Sequence, residues 1–129
     1  MKKYLFFISA VMALHSTPLY AKNIVETYIA RLGPADHFNS SGSRLTTVAS
    51  IIRQDRANYH LFGKYDREDQ NDVFFNSTQN RSFLESIVRN SRINRHVSQQ
   101  IINGNPVVRI TLWNEGGGLY LVDIDLIDY

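Results

Sequence analysis

The chain has 129 residues, of which 43% are hydrophobic and 20% are charged; it contains no cysteine, and its formal net charge is +2. The lack of cysteine excludes disulfide bonds and an anchor through a lipidated cysteine, so packing alone must hold the fold together. The length is that of one domain with a core of its own.

The first 21 residues have the layout of a secretory signal peptide. Two lysines follow Met1, the apolar run YLFFISAVMAL comes next, and Pro18 precedes the small residue Ala21. The apolar run is too short to span a membrane. We therefore expect cleavage after Ala21, one soluble domain over residues 22–129, and a location in the periplasm or outside the cell, without a membrane anchor.

Removal of this segment changes the charge of the protein. Lys2 and Lys3 lie within it, so residues 22–129 carry twelve basic and twelve acidic side chains. A protein that binds nucleic acid or an anionic membrane through general electrostatics needs a net basic surface. We therefore expect neither kind of partner.

In chain order, the first predicted element is a strand, NIVETYIARL, at residues 23–32. Its side chains alternate between two faces, one with Ile24, Glu26, Tyr28 and Ala30, the other with Val25, Thr27, Ile29 and Arg31. A loop rich in Gly, Pro, Asn and Ser follows and ends near Arg44.

A first helix is predicted over residues 45–62, with Ser43 as its N-cap and Gly63 as its end. Apolar residues recur at helical spacing along it, namely Leu45, Val48, Ile52, Tyr59 and Phe62. Asp55 lies on this otherwise apolar stripe, where a carboxylate needs partners.

Two further helices are predicted after a polar, acidic connection. The second covers residues 78–93, and the third follows the N-cap Asn94 and ends at Asn103-Gly104, since Pro106 cannot continue it. Their apolar side chains, which should face the core, are Phe83, Leu84, Ile87 and Val88 in the second helix and Val97, Ile101 and Ile102 in the third.

The C-terminal part predicts an antiparallel hairpin. PVVRITLW and LYLVDIDLI alternate apolar and polar residues and are joined by NEGGG, residues 114–118. With all five residues in the loop, Trp113 lies opposite Leu119, and Arg109 lies opposite Asp123. The fold class that follows is α+β: a small antiparallel sheet, made of the N-terminal strand and the hairpin, covered by two or three helices inserted between them.

One face of the hairpin is a candidate protein-binding site. Trp113, Leu119 and Leu121 cluster near the turn, with Arg109 and charged aspartates further along. An apolar patch with a charged border is typical of interaction sites, and Trp and Arg are frequent anchors in them. The alternative interpretation is that the first strand or a helix packs on this face.

The most highly charged stretch is RQDRANYHLFGKYDREDQND, residues 53–72. Its acids could suggest a cation loop, but they lack the Gly and the Glu of an EF-hand at the required positions, so a solvated turn is favoured and no metal or cofactor is expected. A catalytic alternative is an acid–base pair made by His37 or His60 with Asp55, since no other catalytic motif occurs.

Together these patterns favour a non-catalytic protein-binding module, for instance an inhibitor or immunity-type partner of a cell-envelope enzyme. Two alternatives remain open: a small envelope hydrolase that uses the His/Asp pair, and an accessory envelope module without a tight soluble partner. If the protein is a binding module, we expect its partner to be a periplasmic or secreted protein.

Overall fold

A computed structural model describes Leu14, Ser16 and residues 21–128. The predicted signal peptide therefore lies, apart from Leu14, Ser16 and Ala21, outside the described residues. Within them, no helix has the length and apolar character that crossing a membrane requires.

Over the described residues the fold has three strands and three α-helices, and the predicted α+β class is confirmed. The strands are β1 (Asn23–Arg31), β2 (Val107–Gly116) and β3 (Leu119–Ile127), and the helices are α1 (Val48–Ala57), α2 (Thr78–Asn90) and α3 (Arg95–Asn103). The sheet is antiparallel in the order β1-β2-β3, with the hairpin's first strand in the centre.

The core lies between one face of the sheet, which we call the inner face, and the helices. The central strand contributes Val108, Ile110 and Leu112, all fully buried. The helices contribute buried side chains from each of their apolar stripes: Ile51, Ile52, Leu84, Val88 and Ile101. The opposite face of the sheet, the outer face, is the one that carries the predicted binding residues.

The start of α1 differs from the prediction. Thr47, not Ser43, is the N-cap, and its side-chain oxygen accepts a hydrogen bond of 3.2 Å from the backbone N–H of Ser50. Ser43 instead belongs to a loop turn, where its backbone N–H donates to Asn39 Oδ1 at 2.9 Å. The N-cap therefore lies four residues later than predicted, and the helix begins at Val48, three residues after the predicted start at Leu45.

The end of the same helical segment widens into a π turn, Asn58–Phe62, which Gly63 closes with a left-handed φ of 62°. Gly63 was predicted as the stop. The wider turn rotates the last side chains away from the apolar stripe of α1. Phe62 is therefore 51% exposed, whereas its spacing predicted that it would belong to the core.

A bulge in β1 changes the predicted alternation of its side chains. The pairing with β2 shifts between Ile24 and Glu26, so that Ile24 lies opposite Trp113 while Tyr28 lies opposite Ile110. One extra residue moves every side chain before it to the other face. Ile24 is therefore on the outer face, and its predicted place beside Tyr28 was wrong.

The hairpin pairs two residues away from the predicted register. Trp113 lies opposite Leu121, not Leu119, and Arg109 lies opposite Asp125, not Asp123. Because the shift is even, each side chain keeps its predicted face.

The three glycines explain this shift. Gly117 and Gly118 form a two-residue turn with φ values of 61° and 79°. Residues with a Cβ adopt such left-handed values only at a cost in free energy, whereas glycine does not. Strand β2 therefore continues to Gly116, with a bulge after Asn114, where the prediction ended it at Trp113.

Candidate functional site

The outer face of the sheet carries a row of apolar side chains at the hairpin end. Ile24, Trp113 and Leu121 are neighbours across the three strands, and Leu119 follows on β3. We call these four residues the hairpin patch. Ile24 is 54% exposed, Leu119 56% and Leu121 42%, so the described part of the chain leaves the patch open to solvent.

Trp113 is held in place by its neighbours. Its indole N–H donates to Asp123 Oδ2 at 2.8 Å, and Lys22 Nζ lies 4.4 Å from the ring centroid. Lys22 also forms a salt bridge of 3.0 Å with Glu115. A cation above an indole ring is a favourable arrangement. These contacts therefore give the ring a defined position on the face.

A charged border lies next to the patch. Arg109 is exposed on the central strand, between Ile29 of β1 and Asp125 of β3. Among the described residues no carboxylate lies within salt-bridge distance of the Arg109 guanidinium. Arg109 thus lies exposed on the same face as Trp113, with Thr111 between them on β2.

Sequence reasoning missed two members of this site. Ile24 was assigned to the opposite face, because the bulge in β1 leaves no mark in the alternating pattern. Lys22 stands next to the predicted cleavage point, and only the fold brings it above Trp113. The N-terminal strand thus completes a face that the hairpin alone had suggested.

The charged stretch at residues 53–72 forms a buried ionic cluster. Arg56 donates to Asp55 Oδ2 at 2.7 Å and to Asp72 Oδ1 at 2.8 Å, and all three side chains are almost completely buried. The guanidinium also lies 4.0 Å from the ring centroid of Tyr28 and 4.7 Å from that of Tyr59. Arg56 thus ties α1 to β1 and to the segment before α2.

Burial and neighbouring charges act in opposite directions on the pKa values of this cluster. Burial raises the pKa of Asp55 to about 8, although the charge of Arg56 opposes the shift. Burial alone would lower the pKa of Arg56, but Asp55, Tyr28 and Asp72 together raise it. Desolvation is therefore the main cause of the raised pKa of Asp55, and the contact with Arg56 reduces the shift.

The remaining acids of the stretch bind backbone amides and arginine. Asp69 Oδ1 accepts from the backbone N–H of Arg31 at 2.8 Å, and Asp69 Oδ2 accepts from Asp66 N at the same distance. Glu68 pairs with the Arg31 guanidinium at 2.8 Å, and this hydrogen bond lowers the pKa of Glu68 to about 2. These contacts fasten the turn to the outer edge of β1. No group of three His, Asp or Glu side chains within residues 21–128 is arranged to hold a metal ion.

The residues of the predicted acid–base pair have separate partners. Both ring nitrogens of buried His37 lie within hydrogen-bond distance of a backbone carbonyl oxygen. Nδ1 is 2.8 Å from Gly33 O, and Nε2 is 2.7 Å from Ile101 O. His60 Nε2 lies 2.9 Å from Asp72, not from Asp55. His60 thus joins the ionic cluster through Asp72, whereas His37 fixes the C-terminal end of α3 to the loop after β1.

A cavity of about 370 Å³ opens beside α1, close to these residues. Its lining includes Phe38, Asn39, Gln54, Asn58 and Lys64, but neither His37, His60 nor Asp55. Behind it, Asn58 Nδ2 donates to buried Asp36 at 2.8 Å, and Gln54 donates to Asn58 at 2.9 Å. These two hydrogen bonds hold the wall of the cavity in place.

Comparison of the chain with protein-family models, with curated proteins and with solved structures gave no match.

Proposed function

We propose that the protein is a non-catalytic protein-binding module and that the hairpin patch is its contact surface. The observation that carries this proposal is the row Ile24, Trp113, Leu121 on an open sheet face. Large exposed apolar groups that form one continuous row, with a charged border, are typical of interaction sites.

The fixed position of Trp113 supports a role as an anchor. A ring that is already held by Asp123 and Lys22 loses little conformational freedom on binding. Such preorganised aromatic side chains contribute much of the affinity of protein interfaces. Arg109, exposed on the same face beyond Thr111, supplies a charge that gives the contact its orientation.

We propose, for the partner, an enzyme of the cell envelope that the protein inhibits or against which it gives immunity. The support is the predicted export of the chain, its small size, and the balanced charge of residues 22–129. A neutral protein with a rigid apolar patch suits selective binding of one folded partner better than electrostatic binding of many.

The experiment that tests this is affinity capture with tagged residues 22–129 from periplasmic and secreted proteins of the source organism. Each captured enzyme is then purified, and its binding and inhibition are titrated with wild type, Trp113→Ala and Leu121→Asp. Leu61→Asp is the matched control, since Leu61 is an exposed leucine outside the hairpin patch.

We expect a stoichiometric complex whose affinity falls at least about tenfold with either patch variant, because loss of an interface anchor costs about 1–2 kcal/mol or more. Leu61→Asp should bind as the wild type does. Equal binding by all variants would remove the hairpin patch from the contact. The absence of any stoichiometric enzyme partner would contradict the proposed function and favour an accessory envelope module.

A further inference from the structure

The two edges of the sheet differ in what covers them. On β1, Ile29 exchanges hydrogen bonds with Gln70: Ile29 N donates to Gln70 Oε1 at 3.0 Å, and Gln70 N donates to Ile29 O at 2.8 Å. The next outward backbone N–H on β1, that of Arg31, donates a hydrogen bond to the side chain of Asp69. On β3, β2 is the sole paired strand within the described chain. The outer edge of β3 is therefore the one open for strand pairing.

A groove runs along this open edge. Its volume is about 460 Å³, and six consecutive residues of the hairpin line it, Gly118–Asp123. Successive side chains of a strand point to opposite faces, so a groove lined by all six must follow the edge itself. The other wall is the end of α2 and the turn after it, including Ile87 and Arg92. A strand edge beside a helix is an arrangement that accepts an extended peptide.

The side chains along β3 define what such a peptide must carry. Tyr120 and Val122 face the groove and pack with the core, so the guest needs apolar residues on that side. On the outer face, Asp123 and Asp125 are exposed next to the hairpin patch. Residues 115–129 contain four acids and no base. The guest therefore needs lysine or arginine at the alternate positions that lie beside these aspartates.

A second copy of β3 is a poor occupant of the same edge. Antiparallel pairing with complete overlap of residues 119–127 places Asp123 opposite Asp123. A shift by two residues places Asp123 opposite Asp125. Like charges directly opposite each other destabilise a sheet, so these registers are disfavoured.

We propose that the open edge of β3 binds an extended, basic segment of a partner protein, which adds to the sheet as a fourth strand. The segment alternates apolar residues, which enter the groove beside Ile87, with lysine or arginine opposite Asp123 and Asp125. This deepens the proposed function by naming the partner's chemistry, and it rests on that function only for the segment's origin in a partner protein.

The test uses three synthetic nine-residue peptides and residues 22–129. The probe peptide is VKVKVKVKV, and the second peptide is VEVEVEVEV. The third has the probe sequence with N-methyl groups on the alternate amides that would face β3. This change keeps the charge of the peptide but prevents that edge from pairing with β3. Binding is titrated by calorimetry, and hydrogen exchange of the protein amides is followed by NMR with and without peptide.

We expect the probe peptide to bind and to slow exchange of amides within Leu119–Ile127, with little effect on those of β1. The glutamate peptide and the N-methylated peptide should bind at least about tenfold more weakly. Asp123→Lys with Asp125→Lys should invert the preference between the lysine and glutamate peptides, which a mere loss of folding cannot do. Ile24→Ala, in the hairpin patch but on β1, should leave the peptide affinity within about twofold, because β2 separates β1 from β3 in the sheet.

Three results overturn the inference: no binding of the probe peptide, equal binding of the N-methylated peptide, or protection elsewhere than β3. A concentration-dependent dimer that protects β3 without peptide would also overturn it, in favour of a second copy. Peptide binding on β3 without any captured enzyme would uphold the strand-addition site and contradict the proposed function. Capture that depends on Trp113 without peptide binding would uphold the proposed function and contradict the strand-addition site.

Discussion

The indole N–H of Trp113 donates a hydrogen bond of 2.8 Å to Asp123 Oδ2, a residue ten positions away on the neighbouring strand. The bond is diagonal, since Trp113 itself lies opposite Leu121 and Asp123 lies opposite Thr111. It connects the apolar patch with its charged border and gives the tryptophan a defined orientation on an open face.

The contact can be measured directly because Trp113 is the one tryptophan of the chain. Asp123→Ala should lower the steady-state fluorescence anisotropy of the indole, since the ring loses the acceptor that restricts it. The free energy of unfolding should change by less than about 1 kcal/mol, because Asp123 is exposed. Asp125→Ala is the control and should leave the anisotropy unchanged; an equal decrease in that variant would argue against the hydrogen bond.

The buried position of Arg56 predicts a large loss of stability on its removal. Arg56→Ala leaves Asp72 without its cation in the protein interior, and the expected loss is about 3–5 kcal/mol. The matched control is Arg53→Ala in the same helix, whose salt bridge to Glu85 is partly exposed and should contribute less than about 1 kcal/mol. Urea denaturation gives both values, and similar losses in the two variants would contradict the buried-cluster interpretation.

Asp55 should make the protein less stable as the pH rises. Burial raises the pKa of Asp55 from 3.8 to about 8 in the folded state. Below the unfolded pKa both states hold the proton, and between the two values only the folded state does. The contribution of Asp55 is therefore fully present near pH 4 and is lost progressively up to about pH 8.

The measurement compares the free energy of unfolding of wild type and Asp55→Asn across this pH range. Groups that titrate in both proteins cancel in the difference, so the difference should move in favour of the variant as the pH rises. Burial also raises the pKa of Asp36, to about 6, and that contribution persists in both proteins. A difference that stays constant from pH 4 to pH 8 would show that Asp55 does not hold its proton in the fold.

The N-cap of α1 can be checked with two alanine variants. Thr47→Ala removes the side-chain acceptor for the Ser50 N–H and should cost about 1 kcal/mol. Ser43→Ala removes a hydroxyl that does not cap the helix and should cost less than about 0.5 kcal/mol. Thermal unfolding of the two variants separates the observed cap from the one that the sequence suggested; the opposite order of losses would place the helix start at Ser43.

The elements of the fold and several of their ends could be predicted from local sequence. The cap at Asn94, the stop at Gly63 and the two strands of the hairpin each depend on a few neighbouring residues, whose backbone preferences act over one turn or one strand. The faces of the hairpin were also predictable, because an even shift in register preserves them. The positions of Trp113, Leu119, Leu121 and Arg109 on one face follow from that period of two.

Only the tertiary structure decided which distant segments contact one another. The bulge before Glu26 moves Ile24 to the outer face, beside Trp113, although it leaves the alternating apolar pattern of β1 unchanged. The same holds for Arg56: the sequence indicated that Asp55 needs partners, but only the fold buries Arg56 beside it. Its burial depends on Asp72 and Tyr28, which reach it from other segments, and this compensation of charge in the interior is a property of three-dimensional packing.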